Sequence, residues 1–190
     1  MSELINEEIE AIEEVNTKKA RHKSRLRELL ELVIIFLIML FIFNFIIMSV
    51  KVNGTSMEPN YRDGERGIML RTNPLNKPDY DDVVVIKFID EYDQEELIVK
   101  RVFAMPNDTI EIENNKIYVN GEEVADPHQA EGTVMDNLSE TQLAADEIFV
   151  LGDNRNVSLD SRIIGPIKLK DVKAVNGLMF WPLDSFGLMK

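Results

Sequence analysis

A serine and a lysine in two separate blocks of the sequence could together carry out nucleophilic catalysis. Ser56 lies in residues 53–59, Asn-Gly-Thr-Ser-Met-Glu-Pro, and Lys100 lies in residues 97–103, Leu-Ile-Val-Lys-Arg-Val-Phe. A serine hydroxyl is a weak nucleophile until a base takes its proton, and a neutral lysine amine can be that base. A serine between glycine and proline is also common in turns, so the first block alone predicts only a turn.

The apolar run around Lys100 predicts a β-strand. Side chains alternate between the two faces of a strand, so Lys100 shares its face with Ile98 and Val102. Apolar neighbours remove water from the ammonium and lower its pKa, which makes the neutral amine available. The alternative is an edge-strand lysine whose methylene stem passes its neighbours and keeps the ammonium in water. Periodicity by itself favours this alternative.

A third polar block covers residues 152–162, Gly-Asp-Asn-Arg-Asn-Val-Ser-Leu-Asp-Ser-Arg. It contains too many turn-forming residues for the interior of a strand, so it predicts a loop. The block offers hydroxyl groups at Ser158 and Ser161. Asp160 and Arg162 carry opposite charges and could brace a site, although an ordinary solvated loop would have the same composition.

The composition excludes several other chemistries. The chain contains no cysteine, which rules out a thiol nucleophile, a disulfide framework and a thiolate metal site. Of its two histidines, only His128 lies after the long apolar segment, within an Asp-Pro-His-Gln stretch that predicts an exposed loop. A Ser-His-Asp triad would depend on this residue. We therefore expect no histidine base, no metal and no cofactor.

Residues 32–50 predict a transmembrane anchor. These 19 residues carry no charge, and their only polar side chains are Asn44 and Ser49. A helix of this length spans about 28 Å, close to the thickness of the hydrocarbon core of a bilayer. A cleavable signal peptide would have a short basic leader and a shorter apolar core, whereas 31 residues precede this block. A buried core helix is disfavoured by the absence of any charge.

Basic residues indicate the orientation of this anchor. Only Lys51 follows it closely, whereas six precede it: Lys18, Lys19, Arg21, Lys23, Arg25 and Arg27. Because basic flanks stay in the cytoplasm, we expect a single-pass protein of the cell membrane. Its parts would be a cytoplasmic leader (1–31), the anchor (32–50) and an extracytoplasmic domain (51–190). Apolar residues at roughly helical spacing predict an amphipathic helix in the leader.

Short β-branched runs after the anchor predict a domain that is mainly β. The runs cover residues 83–89, 97–103, 109–113, 116–119, 147–151 and 172–180. Turn-forming residues separate them, and an Asn-Asn pair between the third and fourth runs predicts a two-residue hairpin. We expect an antiparallel, barrel-like domain on a single N-terminal helix, in which residues 122–146 form a polar surface insert.

The charge of this domain restricts its partners. Residues 51–190 carry 26 acidic and 15 basic side chains, a net charge of −11. Such an acidic domain argues against nucleic acid as a partner, because the phosphate backbone attracts basic proteins. It is compatible with a neutral or basic peptide. The sequence predicts no oligomeric state.

Together the three polar blocks resemble the type I signal peptidase family. Its motifs are Ser-Met-x-Pro, found at residues 56–59; Lys-Arg-Val with a later proline and aspartate, found at Lys100, Pro106 and Asp108; and the long motif of residues 152–162, followed by Gly165. The order and spacing of the motifs agree over nearly all of residues 51–190. The short polar region between the second and third motifs is similar to the form found in Gram-positive bacteria.

The resemblance implies a serine endopeptidase that cleaves signal peptides from exported preproteins at the membrane surface. Ser56 would be the nucleophile and Lys100 the general base. Ser158 would hydrogen-bond and orient the lysine amine, while Asp160 and Arg162 would be structural. The partners would be signal peptides and the lipid bilayer.

The resemblance also indicates how the substrate would bind. An extended peptide would add to a strand edge. Its small side chains would enter shallow apolar pockets beside Gly54, Met57 and Ile98, near Pro59. An apolar cluster at residues 178–183, which includes a Trp-Pro pair, would either touch the membrane or pack in the core, and the sequence does not decide between these.

Three positions depart from the family pattern. Ala104 and Asn107 stand where members usually have glycine, although asparagine tolerates a left-handed backbone better than most residues. Gly54 stands where some members supply a hydroxyl to the oxyanion hole, so a backbone N–H, that of Ser56, would carry more of this role. Two other functions share the same residues: a Ser-Lys autoprotease of the repressor-cleaving type, and a catalytically silent homologue that acts as a binding or accessory protein.

Overall fold

The computed structural model describes residue 25 and residues 27–89 and 92–189. The chain divides into two compact units, Met1–Phe45 and Ile46–Lys190. The amphipathic helix predicted for the leader lies outside the described residues.

Helix α1, Arg27–Ile46, is long and apolar enough to cross a membrane. Its large hydrophobic side chains are exposed, as the lipid-facing residues of an anchor would be. Its one polar side chain in the apolar part, Asn44, donates a hydrogen bond of 2.7 Å to the carbonyl oxygen of Leu40. A bilayer offers no water to a polar group, so this internal hydrogen bond makes Asn44 compatible with a membrane-spanning helix.

The uncharged block and the helix end at different residues. The block extends to residue 50, but residues 47–50 lie in strand β1, Ile47–Lys51, which pairs antiparallel with β2, Arg66–Arg71. The predicted anchor of residues 32–50 therefore extends four residues past the end of this helix. Hydropathy cannot distinguish the last turn of an apolar helix from an apolar strand, because both contain the same residue types.

Ten further strands follow β1 and β2. They are β3 Val83–Ile89, β4 Glu95–Ala104, β5 Thr109–Glu113, β6 Lys116–Val119, β7 Glu122–Val124, β8 Leu138–Gln142, β9 Glu147–Leu151, β10 Ile167–Lys168, β11 Val172–Trp181 and β12 Gly187–Met189. The larger sheet has the order β1-β2-β11-β3-β4-β9-β10, with β12 paired to β11. All the pairs are antiparallel, so the predicted mainly β class is confirmed. The sheet is open, because β1 and β10 do not pair with each other among the described residues.

Residues 122–146 are not the simple polar insert that the sequence predicts. They contribute β7 and β8 to a second sheet of order β7-β6-β5-β8. Met135 and Leu143 are buried there against Phe103 and Phe149. The sequence did not predict β7 and β8 because their composition is polar. Only one face of the small sheet is covered, and the other face carries polar side chains.

The predicted hairpin is confirmed. Strands β5 and β6 pair in the register Glu113↔Lys116, which leaves Asn114 and Asn115 as the two turn residues. Both have left-handed backbones, with φ of 51° and 65°. A two-residue turn with positive φ at both positions matches the twist of the flanking strands, and asparagine tolerates this geometry.

Strand β4 connects the hydrophobic clusters of the domain. Val99 packs against one cluster, Val102 belongs to a second and Phe103 to a third. The strand is therefore held from both faces, and a polar side chain on it has a well-defined position. Lys100 lies in the middle of this strand.

Candidate active site

The loop that carries Ser56 begins directly after β1 and is fixed by backbone hydrogen bonds. Val52 N donates to Glu65 O over 2.8 Å, and Tyr61 N donates to Met57 O over 2.9 Å. The Met57 side chain is fully buried and holds the loop in the core, while Ser56 remains partly exposed. The loop thus presents a hydroxyl group at the surface from a rigid base.

Gly54 allows the chain to enter this loop. Its φ of 82° lies in the left-handed region, which side chains other than glycine adopt at a cost. Its N–H donates to Asp63 Oδ1 over 2.8 Å. A Cβ added at Gly54 would meet no atom within 4 Å, so the space that a side chain would fill is open.

Lys100 reaches Ser56 from strand β4. Its Nζ lies 2.8 Å from Ser56 Oγ and 3.0 Å from Val99 O. The lysine is 3% exposed, so the predicted alternative of an ammonium kept in water does not apply. Burial lowers its pKa to about 8, against the opposing effect of the negative charges of Asp160 and Asp153.

Asp153 joins the three polar blocks. Its carboxylate accepts two hydrogen bonds of 3.0 Å from Arg101, and both side chains are fully buried. It also accepts a hydrogen bond of 2.9 Å from Asn60 of the Ser56 loop. The next residue, Asn154, donates its N–H to Ser56 O over 3.0 Å. Because the pair is bidentate and fully buried, it fixes the orientation of both the Arg101 and the Asp153 side chain.

The sequence did not single out Arg101, Asp153 or Asn60 for these roles. One signal was available: Arg101 follows Lys100 in the same predicted strand, so the two cations must point to opposite faces. An arginine stays charged when it is buried, so it needs a buried carboxylate partner. Only the fold shows which carboxylate this is.

Gly152 is required because two other residues approach it closely. A Cβ at this position would lie 2.2 Å from Ser158 Oγ and 2.6 Å from Ser56 O. Neither distance is possible for a real side chain. The glycine therefore lets the third block pack directly against the backbone of the first.

Ser158 is close to the site but does not make the expected contact. Its Oγ is buried and makes no hydrogen bond with Lys100; the side chain lies beside Asp160 instead and helps to lower the pKa of that carboxyl. The Lys100 amine is held instead by Ser56 and by the carbonyl of Val99. The predicted Ser158–Lys100 hydrogen bond is therefore absent. Motif spacing places a residue near a site, but packing determines where its hydroxyl lies.

Asp160 and Arg162, the pair predicted to brace the site, lie in contact with each other. Asp160 is fully buried and caps helix α2, Ser161–Ile164, by accepting the N–H of Arg162. It also accepts hydrogen bonds of 2.9 Å from Arg162 Nε and Nη2, and one of 3.1 Å from Gly152 N. Burial alone would raise the pKa of Asp160, but the hydrogen bonds from Arg162 and Gly152 outweigh it and the pKa is lowered.

A cleft of about 310 Å³ opens beside Ser56. Its lining consists of Val52, Asn53, Ser56, Met57, Glu96, Leu97, Ile98, Val99 and Lys100. Two of the predicted substrate-binding residues, Met57 and Ile98, are among them, whereas Gly54 is not. Pro59 is not among them either and lines a separate polar cavity of about 360 Å³ with His128. The turn closed by the Tyr61–Met57 hydrogen bond carries Pro59 away from the cleft.

His128 is half-buried rather than exposed. Its Nε2 lies 3.3 Å from Asp81 Oδ2, and its carbonyl accepts a hydrogen bond of 2.8 Å from Asn60. It does not line the cleft that contains Ser56. A triad based on this histidine therefore does not fit the structure.

The turn after β4 accounts for one of the departures from the family motif, Asn107. Asn107 has a φ of 69°, so it adopts the left-handed backbone that a glycine would. Ala104 is fully buried in the core. Asp108 accepts hydrogen bonds from Tyr80 Oη, Met105 N and Asn120 Nδ2 over 2.7–2.8 Å. These contacts fix the end of the strand that carries Lys100.

Comparison with known proteins identifies the family. The model of the signal peptidase family, peptidase S26, matches residues 25–181. Signal peptidase I P of Bacillus subtilis subsp. natto is 32% identical over 182 residues, which cover 88% of this chain and 95% of the relative. Signal peptidase I of Streptococcus pneumoniae (strain ATCC BAA-255 / R6) is 30% identical over 178 residues, 73% of this chain and 84% of the relative.

A crystal structure of a signal peptidase I from Enterococcus faecalis V583 superposes with a TM-score of 0.45 and 22% identity, and covers 53% of this chain and 97% of that one. The family match extends over most of the sequence, from α1 to the end of β11. This chain belongs to the signal peptidase family, peptidase S26, and is a serine peptidase.

Proposed function

We propose that this chain is a membrane-anchored endopeptidase that removes signal peptides from exported preproteins, with Ser56 as nucleophile and Lys100 as general base. The observation that carries the proposal is the 2.8 Å separation of Lys100 Nζ from Ser56 Oγ at the floor of an open cleft. The names of the relatives, signal peptidase I, support this substrate class.

The first step is attack by Ser56 on the carbonyl carbon of the cleaved bond. Lys100 has a pKa of about 8, so about one tenth of the amine is neutral at pH 7. The neutral amine takes the Ser56 proton as the oxygen attacks, and an ammonium and a tetrahedral oxyanion form. The carbonyl of Val99, 3.0 Å from the amine, keeps the amine in place as its charge changes.

The backbone N–H of Ser56 is the candidate oxyanion donor. It has no acceptor within the described part of the chain, so it is available to a substrate oxygen. Gly54 offers no hydroxyl, and the space beside it is empty. In other serine proteases one such donor contributes about 2.7–4 kcal/mol to stabilisation of the transition state.

The second half of the reaction returns Lys100 to its starting state. The ammonium gives its proton to the departing amine, which is the new N-terminus of the mature protein. The neutral amine then takes a proton from a water molecule that attacks the acyl-enzyme. When the C–O bond to Ser56 breaks, the ammonium returns this proton to Ser56 Oγ, and the acid product leaves. The Arg101–Asp153 and Asp160–Arg162 ion pairs keep residues 152–162 in place beside the Ser56 loop during both halves of the reaction.

An extended substrate fits the open edge of β4. Residues Glu95–Arg101 of this strand pair with β3 on one side, but pairing with β9 on the other side begins only at Arg101. The edge before Arg101 can therefore hydrogen-bond an added strand. Met57 and Ile98 line the cleft along this edge and offer apolar contacts to small side chains.

A patch of exposed apolar side chains supports contact of the domain with lipid. It consists of Leu70, Phe180, Trp181, Leu183, Phe186 and Leu188. Met179, from the same predicted cluster, is buried, so that cluster serves both the core and the surface. Patches rich in aromatic and aliphatic side chains mark interaction surfaces, and a membrane surface suits a tryptophan. With α1 as anchor and the basic leader inside, this domain would lie outside the cell.

Cleavage of a preprotein by the purified full chain in detergent tests the proposal. Mass spectrometry of the product should locate a single cut after a small-x-small sequence. Ser56→Ala should remain folded and make no cut, while Thr55→Ala, which removes the exposed hydroxyl next to it, should cut normally. Equal cutting by Ser56→Ala would contradict the proposal, and so would a wild-type chain that leaves preproteins intact.

A further inference from the structure

Glu96 lies at the far end of the cleft that contains Ser56 and Lys100. It belongs to the same strand as the lysine, four residues earlier, and pairs with Phe88 of β3. Because side chains alternate along a strand, Glu96, Ile98 and Lys100 lie on one face of β4. The Glu96 carboxylate therefore lies at one end of a row of three side chains. Lys100, which contacts Ser56, lies at the other end.

The Glu96 carboxylate is exposed and makes no ion pair with any described residue. Its neighbour Glu95 differs in both respects that matter here. Glu95 lies on the opposite face of the strand, and it forms an ion pair with Lys87. The two adjacent carboxylates thus have the same charge but different positions relative to the cleft.

The pairing of β4 restricts the direction in which a substrate can extend. From Arg101 onward the edge is occupied by β9, so an added strand can run only toward Glu96. Residues of the added strand pair with β4 one to one and rise about 3.3 Å each. If the residue before the cut, position −1, lies beside Lys100, position −3 faces Ile98 and position −5 faces Glu96.

We propose that Glu96 forms a subsite that prefers a basic side chain at position −5 of the signal peptide. The proposal rests on the proposed function, because it takes the cut at Ser56 as its origin. A lysine or arginine at this position would bring its charge to an unpaired carboxylate, whereas a glutamate would meet a like charge. The side chain at position −4 would lie beside Leu97, on the face of β4 opposite to Glu96, and would not sense Glu96.

A charge-exchange experiment tests this subsite. Two preproteins that differ only by Lys or Glu at position −5 are cleaved by the full chain and by Glu96→Lys in detergent at low salt. Exposed ion pairs change an equilibrium by about 1.4- to 5-fold, so the wild type should prefer the lysine substrate by a factor in this range in kcat/KM. Glu96→Lys should prefer the glutamate substrate. In about 1 M salt, the ratio of the two kcat/KM values should approach one for both enzymes, because salt screens the charges.

Matched controls separate this subsite from a general charge effect. Glu95→Lys makes the same change of charge one residue away, on the opposite face, and should keep the wild-type preference. The same Lys and Glu exchange at position −4 should be cleaved equally by all three enzymes.

Two results would overturn the subsite: an unchanged substrate preference in Glu96→Lys, or a preference that follows position −4 instead of −5. Failure of the proposed function is a separate result, in which neither preprotein is cut by the wild type or Ser56→Ala cuts both.

Discussion

Replacement of Lys100 by methionine should stabilise the protein at neutral pH while abolishing cleavage. The folded protein lowers the pKa of Lys100 from 10.5 to about 8. Holding this ammonium in the folded state at pH 7 therefore costs about 3 kcal/mol. Methionine has a similar length and no charge, and removes this cost. It also removes the contacts with Ser56 and Val99, each worth about 1 kcal/mol. The net gain should be about 1 kcal/mol.

The sign of this effect should change with pH. Below pH 8 the lysine is protonated in both the folded and the unfolded protein, so the full cost is present. As the pH rises from 8 to 10.5 the folded protein carries the neutral amine while the unfolded chain still binds a proton, so the cost disappears. Only the lost hydrogen bonds then remain, and Lys100→Met should be less stable than the wild type above about pH 9.5.

Urea unfolding of the full chain in detergent at pH 7 and pH 9.5 measures both values. Lys170→Met, an exposed lysine on the same domain, is the control and should change stability little at either pH. A Lys100→Met protein that is less stable than the wild type at pH 7, or whose change in stability does not depend on pH, would show that the Lys100 amine is not a desolvated cation.

Three further predictions concern the loops and the topology. Asp160→Ala should lower the free energy of unfolding by about 3 kcal/mol and reduce cleavage, because it leaves the cation of Arg162 partly buried without its partner; unchanged melting would exclude a brace. Ser158→Ala should leave stability within about 1 kcal/mol of wild type, because its hydroxyl makes no hydrogen bond with Lys100 and has only the Asp160 carboxyl beside it; a loss above about 2 kcal/mol would show that the hydroxyl has a stronger partner. External protease on intact cells should degrade the domain after Lys51 and spare the leader, and protection of the domain would reverse the orientation.

Local signals in the sequence predicted those elements that short segments determine. The β5–β6 hairpin depends on two strands and the Asn114–Asn115 turn, all within eleven residues. The strand around Lys100 has an apolar pattern that needs no partner to be recognised. The three polar motifs, taken together, predicted which residues lie near one another.

Features that depend on packing between distant segments could not be predicted in this way. The end of α1 at Ile46 is set by pairing of residues 47–51 with β2, which hydropathy does not register. The position of the Ser158 hydroxyl depends on its contact with Gly152, and the place of Pro59 depends on a turn closed by a backbone hydrogen bond. The Arg101–Asp153 pair joins residues 52 positions apart. None of these contacts has a local signature.

The pH dependence of cleavage tests most directly whether Lys100 acts as the base for Ser56. The value of kcat/KM should be measured from pH 6 to pH 10 for the wild type and for Lys100→Arg, which keeps the charge but does not deprotonate in this range. The wild-type value should fall about tenfold for each pH unit below a pKa near 8, because only the neutral amine accepts the Ser56 proton. Lys100→Arg should be inactive at every pH. An active Lys100→Arg enzyme, or a wild type without this acidic limb, would contradict the assignment.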